Sequence, residues 1–250
     1  VAGTSSFTTD VASKAITLDT AVLTGAISFT TTGTGDVTLD NGTTAVNLGT
    51  VSVGRNLSVT SGEAITDSGV LTVGGTSGFT TDVADKAITL NTTTNALTGV
   101  VSFTTTNGAG NSANVTIDNG TTALNLGASS VYGNLAVTAG EAITQSGALT
   151  VEGTSSFTTD VNDKAITLDT TTNALTGAVS FTTQTAGGNT GHVVIDNGTT
   201  ALNIGASTVA GNLTATAGEA ITDSGTLTVV SSTSFTTDVA SKAITLDTAV

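Results

Sequence analysis

Residues 133–159 read GNLAVTAGEAITQSGALTVEGTSSFTT. Apolar residues recur at every second place over short runs. Leu135 and Val137, then Ile143, then Leu149 and Val151 share one phase, and Thr138, Thr144 and Thr150 share the other. A period of two is that of a half-buried strand, because successive side chains leave a pleated chain on opposite faces. Glycines at 140, 147 and 153 end each run after a few residues. The stretch therefore reads as short strands joined by tight corners, with Leu135, Val137, Ile143, Leu149 and Val151 pointing inward.

The same phrases return along the chain. DNGTTA begins at Asp40, Asp118 and Asp196, and GEAIT begins at Gly62, Gly140 and Gly218, so both phrases recur at one and the same interval. A fixed period of this kind is the signature of a repeat architecture. Phe7, Phe79, Phe157 and Phe235 are equivalent, but the first interval is shorter than the other two. The missing residues fall in polar, glycine-rich stretches at 21–25 and 31–36, which marks those as loops. Complete units span 55–132 and 133–210, with partial units at both ends. The whole chain, 1–250, is expected to be a single solenoid segment excerpted from a longer array. SFTTDVASKAITLDTAV at 234–250 repeats 6–22 letter for letter, which reads as an interruption in mid-coil and not as a capped end.

Each unit divides into three coils of three short strands. In 133–210 these are 133–152, 153–177 and 178–210, with Phe157, Ile166, Leu168 and Leu175 inward in the second coil. Phe181, Ile195, Leu202 and Ile204 take those places in the third. Stacking like on like places Phe79, Phe103, Leu135, Phe157, Phe181 and Leu213 in one core column. The variable loops at 31–36, 105–114 and 183–192 then emerge on one edge of the rod. The predicted fold is all-β: a right-handed parallel β-solenoid (β-helix) with three sheets, three short strands per coil and roughly nine to ten coils, about 45 Å long at ~4.8 Å per coil.

Composition supports this reading. Threonine makes up about a quarter of the chain, aromatic residues 3% and charged residues 10%, with no Pro, Cys, Met or Trp. β-Branched side chains suit a pleated surface and crowd a helical turn. Five basic residues against 19 acidic ones, a formal charge of −14, argue against nucleic-acid binding, which needs Lys and Arg to neutralise phosphates. No run is long and apolar enough to cross a membrane as a helix.

The segments at 133–159 and 55–81, sharing G-x-L-x-V-T-x-G or its near variant, then I-T-x-S-G and L-T-V-x-G, resemble the repeats of filamentous-haemagglutinin-like large bacterial exoproteins and adhesins. The resemblance covers the first coil of each unit well and the other two by general pattern. It implies a right-handed parallel β-helix and an extracellular or cell-surface setting; no targeting segment is present to read this directly.

Catalysis needs acids, bases or nucleophiles gathered in one place. His192 is the only histidine and lies in a loop, with Asn114 and Asp36 at the equivalent places. It reads as a solvent-facing loop residue. The aspartates recur once per unit, which indicates structural corners, and Asp-Asn-Gly at 40, 118 and 196 is a turn signal that needs no metal. Asn41-Gly-Thr43 and Asn119-Gly-Thr121 match a glycosylation acceptor but read as turn chemistry. Outward Thr66, Thr89, Thr116, Thr144 and Thr167 are expected to form a ladder. Val194 interrupts it and Asp118 and Asp169 flank it, unlike an ice-binding face. Tyr132, a single aromatic at a junction between coils, reads as sequence drift and not as a carbohydrate platform. No catalytic residue, cofactor, metal or small-molecule substrate is expected, so the chain reads as a non-enzyme.

All four lysines, Lys14, Lys86, Lys164 and Lys242, precede an inward isoleucine by two places in KAIT. Glu63, Glu141 and Glu219 stand at the matching place in EAIT, each at the same interval before one of the last three lysines. The spacing predicts an ion-pair ladder between neighbouring coils, Glu63 with Lys86, Glu141 with Lys164 and Glu219 with Lys242. The expected role is a structural fibre or stalk that self-associates end to end or laterally. The alternative is the shaft of a surface adhesin, with binding in the variable loops or in other domains.

Overall fold

The computed structural model describes residues 1–108, 110, 112–188 and 190–248. The described residues form 30 strands and no helix, and every strand pairing between them is parallel. The protein is a parallel β-solenoid.

The strands belong to two sheets, of 16 and 14 strands. The chain alternates between them at each half-turn. The first sheet climbs through twelve layers from Ser5–Thr8 to Ile244–Thr245, and the second through eleven from Ile16–Leu18 to Thr233–Thr237. Twelve layers at ~4.8 Å make a rod about 53 Å long. Most coils carry three short strands as the sequence implies, but two of the three lie in one sheet. Ile143–Gln145 and Leu149–Val151, for example, both belong to the second sheet, opposite Leu135–Ala139 and Ser155–Asn162 of the first.

The count of coils per repeat differs from the sequence reading, and the reason is local. The stretch 178–210, read as one coil with a long loop, contains three half-turns: Ala178–Gln184, then Val193–Asp196, then Leu202–Ile204 with Ser207–Val209. Each repeat unit therefore winds three and a half turns. Ile65 and Ile221, two units apart, lie seven layers apart in the first sheet, whereas Ile143, midway between them in sequence, lies in the second. Successive units face opposite sides of the rod.

This half-turn relocates the variable loops. Loops 31–36 and 183–192 join the first sheet to the second, and loop 105–114 joins the second to the first. They emerge on two opposite edges, not one. Ala109, Asn111 and Asn189 of these loops, and Ala249 and Val250, lie outside the described residues.

The inward residues are those that alternation selects. Leu135, Val137, Ile143, Leu149, Val151, Phe157, Ile166, Leu168, Leu175, Phe181, Ile195, Leu202 and Ile204 are all buried. Their columns differ from the expected one. Phe157 stacks on Phe181 with ring centroids 6.0 Å apart, and Phe79 on Phe103 at 5.9 Å, but these pairs lie in opposite sheets. Leu135 pairs with Ser155, and Val137 lies beneath Phe157. Leu213 pairs with Val193 and Thr233.

The two-residue slip has a cause at the corner. Gly153 N–H donates to Gly133 O at 3.0 Å, and a Cβ on Gly153 would overlap that carbonyl. Contact between these two glycines fixes which residue of one coil lies over which of the next, and a slip of two leaves every side chain on its own face. The threonine ladder is split in the same way. Thr66, Thr89 and Thr116 form one column of the first sheet, whereas Thr144 and Thr167 stack in the second.

Candidate functional site

The sheet interiors are occupied by core, and the side chains with repeat-specific partners gather at the corners. Three recurrent devices and one exception define those corners.

The first device is an asparagine clamp. Asn41, Asn119 and Asn197 of the Asp-Asn-Gly turns are fully buried. Below Asn119 lies the two-residue strand Ala96–Leu97, and the turn above it offers no strand to pair with. The Asn119 amide replaces the missing peptide. Its Oδ1 accepts from Leu97 N–H at 2.8 Å, and its Nδ2 donates to Leu97 O at 3.1 Å and to Ala123 O at 2.8 Å. Asn41 does the same for Leu23, and Asn197 for Leu175. The glycines that follow have φ of +53°, +55° and +56°, the left-handed conformation the turn requires. Burial also removes Asn41 and Asn119 as glycosylation acceptors in the folded chain.

The second device is the ion pair. Lys86 Nζ lies 2.7 Å from Glu63 Oε2, Lys164 2.6 Å from Glu141, and Lys242 2.5 Å from Glu219. Each joins adjacent layers, as the spacing implies, but successive pairs alternate between sheets with the repeat. Lys14 has no ion-pair partner among the described residues. The pairs are partly exposed, so each contributes about 0–1 kcal/mol.

The third device fastens the long loops, and sequence reasoning missed it. Ser13, Asp85, Asp163 and Ser241 occupy one place in the repeat and all adopt positive φ, between 61° and 66°. Positive φ is uncommon outside glycine, and Asp adopts it more readily than most residues. Asp occurs beneath the two long loops. Asp85 accepts from Gly110 N–H at 3.2 Å and Ser112 N–H at 3.4 Å. Asp163 Oδ1 accepts from the Thr190 hydroxyl at 2.8 Å and the Thr185 hydroxyl at 3.0 Å. Beneath the short loop, Ser13 Oγ instead shares a hydrogen bond with Thr34 Oγ1 at 2.9 Å. The signal was the joint change of this residue with loop length one coil later.

Thr190's hydroxyl, then Thr185's, the Ala186 N–H and the Lys164 charge hold the Asp163 carboxyl below its ordinary 3.8. Burial acts the other way on Asp118, whose carboxyl is raised despite the hydrogen bond from Gly120 N–H. His192 is half-buried and its Nδ1 accepts from Asn212 N–H at 2.9 Å. Asn114 and Asp36 accept from Asn134 and Asn56 in the same way, so the three residues share one structural task despite their different chemistry.

The exception is a groove of about 310 Å³ lined by Tyr132, Asn134, Glu152 and Thr154 over bare glycine backbone. No cluster of three or more metal-ligating side chains occurs among the described residues.

A family model described as repeats of unknown function (DUF5649) matches residues 34–104, 112–182 and 190–250. The chain belongs to this family. The matched segments start at the interval set by the Asp-Asn-Gly turns, and they leave out 105–111 and 183–189, which are parts of the two long loops. No curated protein and no solved structure matches the chain.

Two outcomes are expected. Asn119→Ala orphans the buried N–H and C=O of Leu97, and should lower stability by about 2–5 kcal/mol in urea unfolding, against under ~0.5 kcal/mol for exposed Thr121→Ala. Asp163 has a depressed folded pKa, so its hold on the loop is complete above 3.8 and is lost as pH falls through the depressed value. Hydrogen-exchange protection of the Ala186 and Gly187 amides, expressed relative to the intrinsic rate at each pH, should fall on that acidification, and at neutral pH in Asp163→Asn.

Proposed function

We propose that this chain is part of a rigid, non-enzymatic rod, a structural fibre or stalk of the cell surface or extracellular matrix whose repeats supply length and stiffness. The observation that carries this reading is that three recurrent polar devices each fasten one coil to the next. The asparagine clamps, the Glu–Lys pairs and the loop-fastening aspartates all act along the rod axis. Coils fastened to one another at each repeat resist bending and unwinding.

The extracellular setting rests on the resemblance of 133–159 to bacterial exoprotein repeats. The charge of −14 disfavours nucleic acid. Self-association, end to end or lateral, is the partner this reading calls for. An exposed valine recurs at one place in the repeat, Val11, Val83, Val161 and Val239, and offers an apolar contact on the rod's surface.

The second reading is the shaft of a surface adhesin. It is favoured by the two long loops, which lie largely outside the matched family segments and are tied to the coil beneath them. Electron microscopy of the protein recovered from the cell exterior separates the two. Long filaments of uniform width are expected for the fibre; short dispersed rods tipped by a further domain would overturn it in favour of the shaft.

A further inference from the structure

In a near-exact repeat, a ligand site is most visible as a local departure. Tyr132 stands where the neighbouring units have Gly54 and Ala210, and Glu152 where they have Gly74 and Val230. These two departures meet. Val131 and Val151 are paired partners in adjacent layers, so the residues that follow them, Tyr132 and Glu152, are stacked neighbours at one corner. The groove of about 310 Å³ opens between them.

We propose that this groove is a binding subsite for a neutral pyranose unit of a glycan. Its volume is at the small end of ligand sites, which run from about 300 to 1,000 Å³. Tyr132 supplies a half-buried aromatic ring with an apolar body and a polar tip, suited to the C–H face of a sugar ring. Glu152 is exposed and has no ion-pair partner among the described residues, so its carboxylate is available to accept from sugar hydroxyls. Asn134 Oδ1 is occupied by the Thr154 N–H and hydroxyl, at 2.8 and 3.1 Å. That fixes the amide with Nδ2, which has no partner among the described residues, as the donor left over. The floor is glycine backbone because a Cβ on Gly153 or Gly177 would collide with the coil beneath. Glu152 and the chain's −14 charge repel uronates and other acidic sugars.

The groove also rests on a long variable loop. Tyr132 N–H donates to Thr105 Oγ1 at 3.0 Å, Gly133 N–H to Ala113 O at 3.2 Å, and Asn134 N–H to Asn114 Oδ1 at 2.7 Å. Loop and groove form one edge feature on the rod.

Tyr132 is the only tyrosine and there is no tryptophan, so its emission reports the site without labelling. The test titrates the protein with methyl glucoside, methyl galactoside, methyl mannoside and chitotriose, and with oligogalacturonate as the acidic probe. Tyrosine emission and saturation-transfer NMR provide the readouts. At least one neutral probe should saturate. Glu152→Val should weaken it at least about tenfold, the scale of one charge-assisted hydrogen bond. Tyr132→Ala should abolish the NMR signal. Ala210 and Val230 already occupy these places in the next unit, and a thermal melt of each variant checks that the fold is kept. The proposal is overturned if no neutral probe saturates, if binding survives both substitutions, or if only the acidic probe binds.

Discussion

A solenoid must give every main-chain N–H and C=O of each coil a partner in the coils above and below, at a separation fixed near ~4.8 Å. That constraint is harder to meet here than in a regular rod, because successive coils differ in length. Leu124 pairs with Ile143 across a short coil, whereas Ile88 pairs with Val115 across a markedly longer one. Wherever a strand in one coil faces a turn in the next, its peptide groups would be left buried and unpaired, at about 1–3 kcal/mol each. The buried asparagines solve this by presenting a side-chain amide with the donor and acceptor of a peptide. Glycine corners permit the close approach that sets register, and the aspartates beneath the long loops absorb the added length without disturbing the stack.

The half-integral winding has consequences at the surface. Because one unit makes three and a half turns, each unit's Glu–Lys pair, loop and phenylalanine pair appear on the side opposite the preceding unit's. Equivalent loops return to the same edge after seven layers, about 34 Å along the rod. Like charges are thereby spread over two faces, and neither edge carries all the loops. A rod decorated this way is balanced about its axis, which suits a straight stalk.

Alternation made the inward residues legible in the sequence, because a period of two assigns faces whatever the register. Leu135, Ile166 and Phe181 were placed inward on that ground alone, and they are buried. The constant Glu–Lys spacing was legible because both residues sit two places before an isoleucine whose stacking partner is unambiguous. The columns were not legible, since shifting Leu135 from Ser155 to Phe157 changes no face and only the Gly133–Gly153 contact decides it. The turn count failed for a related reason. Residues 178–210 contain an extra half-turn that a loop allowance conceals, and nothing in the local pattern distinguishes a strand of one sheet from a strand of the other. The asparagine clamps were hidden because Asp-Asn-Gly already satisfies the requirements of a turn. The groove at Tyr132 depended on seeing that position 152 lies directly above 132.

The winding number fixes the placement of every corner, and the cysteine-free sequence makes it directly measurable by disulfide trapping. Thr116 pairs with Ala136 in adjacent layers of the first sheet, whereas Thr144 lies in the second sheet, on the far side of the core. A disulfide needs Cα atoms about 4.4–6.8 Å apart. Under mild oxidation, Thr116→Cys with Ala136→Cys should cross-link within the folded chain, and Thr116→Cys with Thr144→Cys should stay reduced. Efficient cross-linking of 116 to 144, with none between 116 and 136, would restore three turns per unit and contradict the half-integral winding.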